Sequence, residues 1–127
     1  MAKRRFGIAA TVVAVLAIAV VAIEPIRLPE SVIRARLLHE QPMGTSFTVV
    51  RAWLEDRRWR DLGNHEQAGL YWEDPGMPTE TIGTSSLSAH LGHYLGVPWR
   101  VDVEAFWAFD QQGRLIAVKV RKDADSL

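Results

Sequence analysis

SSLSAHLGHYL, Ser85 to Leu95, and RVDVEAFWAFD, Arg100 to Asp110, decide how this chain folds. Both alternate. In the first, Leu87, Ala89, Leu91, His93 and Leu95 fall on one side and Ser86, Ser88, His90, Gly92 and Tyr94 on the other. In the second, Val101, Val103, Ala105, Trp107 and Phe109 share a side. A period of two is the signature of a strand, because successive side chains leave opposite faces. Arg114 to Arg121, RLIAVKVR, alternates again, with Ile116, Val118 and Val120 apolar and Lys119 and Arg121 opposite. The turn residues Asp110 to Gly113 join the last two runs into a hairpin.

Upstream the period changes. SVIRARLLHEQ predicts a helix capped by Ser31 and stopped by Pro42. PMGTS then opens a second helix, with Phe47, Val50, Trp53, Leu54 and Arg57 at helical spacing. Its expected end is near Leu62, with Gly63 as the left-handed stop. Trp53 and Trp59 read as core and rim packing. Between Asn64 and Gly83 the signal weakens to a short GLYW strand and a turn-rich loop around Asp74-Pro75-Gly76. The sum is an α+β domain: one or two N-terminal helices packed on an antiparallel meander of three to four strands. The expected division is a membrane or signal segment at 1–23, a stem at 24–30, one domain at 31–122 and a tail at 123–127.

The N-terminal segment bears on place. Lys3, Arg4 and Arg5 precede Phe6 to Ile23, eighteen residues without a charge. As a helix these rise about 27 Å, at the short end of a bilayer span. One reading is an uncleaved anchor through residues 6–23. The basic residues then stay cytoplasmic and the domain lies on the far side of a bacterial inner membrane, in the periplasm or outside the cell. The other is a secretory signal cleaved near Ala22. The chain has no cysteine, hence no disulfides and no lipid attachment by that route.

Charge narrows the partners. The chain is formally neutral, and without Lys3, Arg4 and Arg5 the remainder carries about three net negative charges. No basic run follows them, which argues against nucleic acid. The chain lacks a nucleophile elbow, a phosphate-binding glycine loop and an HExxH motif. No cofactor and no metal is expected. His90 and His93 are three apart, and a strand sends them to opposite faces unless a bulge at Gly92 resets the register. His93 then belongs among leucines in the core or at its rim. Asp102 and Glu104 share a face and read as strand charges opposite Lys119 or Arg121. The candidate binding residues are His90, Tyr94, Phe106, Trp72, Asp102 and Glu104. They would form an exposed sheet surface for a protein or peptide partner unless residues 64–83 fold over it.

The order helix, Pro42-Met-Gly-Thr-Ser46, second helix with Val49, Val50 and Leu54, then meander to Val120 resembles the BamE-like group, also called SmpA/OmlA. The resemblance runs from Ser31 to Arg121 as a pattern. It implies the fold shared with beta-lactamase-inhibitory protein repeats, and a role in outer-membrane protein assembly or partner binding. The group's members often carry a lipidated cysteine; this chain departs from them in having none. The expected function is therefore a non-catalytic cell-envelope contact with a protein or peptide, made by the sheet and the long loop. The alternatives are a small hydrolase using His90 with a serine or carboxylate, and a small-molecule sensor with an apolar cavity beside Trp53 and Trp107.

Overall fold

The computed structural model describes residues 25–96 and 98–126. The segment 1–23 lies outside them. Among the described residues no helix is long and apolar enough to cross a membrane.

A 3-10 turn, Pro25–Arg27, leads into helix α1, Glu30–Glu40, and helix α2, Phe47–Asp56. Six strands follow: β1 Arg60–His65, β2 Leu70–Trp72, β3 Glu80–Ile82, β4 Ser85–Gly96, β5 Trp99–Phe109 and β6 Leu115–Ser126. The main sheet is antiparallel with order β1-β4-β5-β6, and β2 and β3 form a separate two-stranded ribbon. The α+β class and the meander are as the alternation predicts.

The helices cover one face. Ile33 and Leu37 of α1 and Val50 and Leu54 of α2 bury against Leu87, Ala89, Val103, Ala105, Trp107, Phe109, Val118 and Val120. Trp107 is fully buried, edge-on to Trp53 at 6.0 Å and stacked with Trp59 at 6.3 Å. Among the described residues its indole N–H has no hydrogen-bond partner. Trp53 and Trp59 meet at 5.3 Å, and Arg57 lies over both rings while pairing with Glu40. Trp53 and Trp59 are thus packing residues, as expected, and they close the space beside Trp107.

Several boundaries differ from expectation. Helix α1 begins at Glu30 with Pro29 in the cap position, so Ser31 lies inside its first turn. Proline suits this entry because a first-turn N–H has no intrahelical partner anyway. Ser46 does cap α2, accepting from the Val49 amide at 3.3 Å. That helix ends at Asp56, not near Leu62. Arg58, in the left-handed region at φ 59°, turns the chain so that Trp59 reaches Trp107. Gly63 lies in β1 opposite Ser88 and stops no helix.

The strands are longer and less regular than their alternation. A bulge between His90 and Gly92 shifts the β4–β5 register. Another, between Ala108 and Phe109 of β5, pairs Phe109 with Leu115, so Leu115 is buried and Ile116 is left exposed. The expected core place of Ile116 therefore belongs to Leu115. The supposed tail is strand: Asp123, Ala124, Asp125 and Ser126 pair with Asp102, Val101, Arg100 and Trp99. The supposed stem is also tied down, since Ile26 and Leu28 pack on the core and Lys122 donates to the Leu28 carbonyl at 2.6 Å.

Candidate functional site

The other face of the sheet has two halves. The upper half is roofed by the β2–β3 ribbon. Leu70 and Trp72 bury against Ala108, with Ile82, Phe106 and Ala117 around them. Trp72 meets Phe106 edge-on at 5.6 Å, donates its indole N–H to Asp74 at 3.0 Å, and is flanked by Arg121 and Lys119. The ribbon is seated close. Gly83 has φ 71°, and a Cβ there would lie 2.3 Å from the Phe109 carbonyl oxygen, so a side chain would push the ribbon off. Part of the weak 64–83 segment does fold over the sheet, and it covers Phe106.

The lower half is open. Here the β4 bulge decides which side chains appear. Gly92 takes φ 145° and Ile26 packs on it from the helix side; a Cβ would meet Ile26 Cδ1 at 3.2 Å. The extra residue in β4 turns the strand by one place. His90 stays opposite Glu104, and His93 comes opposite Asp102. The two histidines therefore share the outer face, against the expectation of opposite faces, and His93 is exposed rather than in the core. The same shift sends Tyr94 inward. It packs against the core cluster, under Arg27 at 4.8 Å, with Lys122 Nζ 3.2 Å from its hydroxyl. Tyr94 and Phe106 thus lie on opposite faces and form no common exposed patch.

An open trough of about 680 Å³ results, lined mainly by polar groups of β4, β5, β6 and the start of β1. At its centre His90 Nε2 lies 3.0 Å from Asp102 Oδ1. A carboxylate offers no proton, so Nε2 carries it. Arg100 donates to the same oxygen at 3.2 Å. The His90 and Asp102 side chains are only 16 % and 17 % exposed, against 48 % for Arg100. The hydrogen bond from His90 holds the Asp102 carboxyl below its ordinary value near 3.8; Arg100 adds to this, and burial opposes it. Around this fixed pair stand His93, Glu104, Asp123, Asp125 and Arg60. Glu104, Asp123 and Asp125 make no ion pair among the described residues.

Of the residues expected to bind, His90, Asp102 and Glu104 come together here. Trp72 and Phe106 belong to the roofed half, and Tyr94 to the core side. His93, Arg100, Asp123 and Asp125 are additions. The alternation of Asp123 and Asp125 across Ala124 was a usable strand signal for the last two. No group of three His, Asp or Glu side chains among the described residues is placed to hold a metal ion.

The class these features define is a two-layer α+β domain with a half-roofed sheet and a charged trough. No family model matches the chain, and no curated protein or solved structure matches it.

Proposed function

We propose that this is a non-catalytic domain of a bacterial cell envelope, tethered through residues 6–23, that holds a protein or peptide segment in the trough. The observation that supports this is the division of the outer sheet face. The chain's own ribbon covers the apolar half and leaves a polar half with its central pair already organised. A pre-formed hydrogen-bonded pair lowers the ordering cost of binding. Five acids, Asp61, Asp102, Glu104, Asp123 and Asp125, line the trough against the three arginines Arg58, Arg60 and Arg100, so the fitting segment carries a basic side chain. The BamE-like resemblance points the same way, toward partner binding. The long-loop segment is assigned as the roof rather than as a contact.

The hydrolase reading draws little from this geometry. His90 is directed at Asp102, and among the described residues no serine hydrogen-bonds to it. The sensor reading is favoured by one observation, an apolar groove of about 430 Å³ between Ile33 and Leu37 of α1, Trp59 and Leu91. It lies beside Trp59, not beside Trp53 and Trp107.

A photo-crosslinking amino acid at position 93 of the full chain tests the trough in the membranes of the producing cell. The same group at Val49, exposed on α2, is the control. A discrete adduct at 93, absent at 49 and lost in Asp123→Lys/Asp125→Lys with an unchanged Tm, is the expected result. Equal labelling at both positions overturns the proposal.

A further inference from the structure

We infer that the lower half of β4 takes up an extended peptide as an added strand, whose alternate side chains enter the acidic trough and the apolar groove. This rests on the proposed binding of a segment in the trough and names the form in which that segment binds. In the sheet order β4 lies between β1 and β5. The β1 pairing runs from His65 opposite Ser86 to Arg60 opposite His90 and stops there. β4 continues to Gly96, paired with β5. Among the described residues no other backbone group bonds to Leu91–Gly96. A strand paired on one side presents a row of unpaired N–H and C=O groups on the other.

The backbone shows why β1 stops. Arg58 and Asp61 both take the left-handed region, at φ 59° and 50°. Neither is glycine, so each holds a conformation that costs stability. They turn the chain off the line of β1, and Trp59 packs on Trp107 instead. An upstream continuation of β1 would have lain beside Leu91–Gly96, and the chain does not make it.

The two faces at this edge are unlike, and both reach it. Leu91 is the extra residue of the bulge, without a partner in β5. It lines the trough and the groove alike, as does Trp59, so the two cavities meet at the edge. On the outer face stand five acids against three arginines. On the helix face lies the groove of about 430 Å³, walled by Ile26, Ile33 and Leu37. Successive side chains of a strand leave opposite faces. A strand laid along Leu91–Gly96 offers every second side chain to the acids and those between to the groove. The fitting segment therefore alternates basic and apolar residues. Main-chain bonds give such a complex its affinity, and pockets for alternate side chains give it selectivity.

A short labelled peptide of alternating arginine and valine, titrated into the detergent-solubilised full chain and followed by fluorescence anisotropy, tests this. Two further peptides carry N-methyl groups on the backbone amides, one at the arginines and the other at the valines. Only one of these sets faces β4 in an added strand. A fourth peptide has the same composition in two blocks. The expected result is binding weakened about tenfold or more by one methylated set and by the block order, but not by the other set. It is also lost in Asp123→Lys/Asp125→Lys at an unchanged Tm. Equal affinity of all four peptides, still lost in that variant, overturns the added strand and leaves the trough reading standing. No binding, or binding unchanged in that variant, overturns both. Strong dipolar coupling between nitroxides at His93→Cys of different copies, unchanged by the peptide, puts a second copy on this edge and overturns the added peptide.

Discussion

Asp102 is the residue on which the trough turns, because one oxygen takes bonds from both His90 and Arg100. A carboxyl whose pKa is lowered by folding adds stability above its unfolded value, near 3.8, and loses it as pH falls through the folded value. Wild type should therefore exceed Asp102→Asn in Tm at pH 6, and the gap should close as pH is lowered below about 4. Thermal melts of both proteins across that range check it; a gap that widens in acid would contradict the assignment. At this scale the sequence named three residues of the site. His90, Asp102 and Glu104 stood on one face of their own strands. His93 was misplaced because alternation assumes every residue advances the face, and a bulge adds one that does not. The glycine within the run was the visible signal, as a glycine inside a strand pattern often marks a bulge. Tyr94 moved inward for the same reason.

At the scale of elements, the sheet has two edges and treats them differently. β1 is short and irregular, with Asp61 at φ 50°. β6 is twelve residues long, and an open edge of that length invites pairing with another chain. Two side chains of α1 occupy it. Arg34 donates to the Val118 carbonyl at 2.8 Å, and Glu30 accepts from the Lys122 amide at 3.2 Å. The bridge between Ser46 and Arg114 closes its beginning. Glu30→Ala/Arg34→Ala should cost about 1–3 kcal/mol and raise the fraction of oligomer. Chemical denaturation and light scattering on the detergent-solubilised chain check the two parts. A stable monomer would show that the edge needs no such plugs. The edges were not legible in sequence, because α1 reaches β6 across more than eighty residues. The strands themselves were legible, since Val101 to Phe109 needed only their own period.

Over the whole molecule, the segment read as a stem is part of the fold. Arg27 lies over Tyr94, and Lys122 joins Leu28 to the Tyr94 hydroxyl. The end of β6 supplies Lys122 and, in the part read as a tail, the trough acids Asp123 and Asp125. Residues 26–28 are thereby held against the sheet. Lys122→Met removes both of these polar contacts while keeping most of the apolar stem. It should lower stability by about 1–2 kcal/mol and speed amide exchange in residues 25–30 more than in α2. Exchange mass spectrometry checks this; uniform acceleration would mean the tie is global rather than local.

By itself the sequence determined the α+β class, the helix entry at Thr45 or Ser46, the meander, the core face of β5 and the core positions Val118 and Val120 of β6. Each of these follows from residues close in the chain, through periodicity and turn chemistry. Only the tertiary structure decided that the ribbon roofs half the sheet, that His90 and His93 share a face and that Arg34 and Glu30 seal an edge. The physical reason is common to all three. They depend on which distant backbone lies alongside, and a bulge of one residue or a strand pairing across twenty leaves little trace in local hydrophobic pattern.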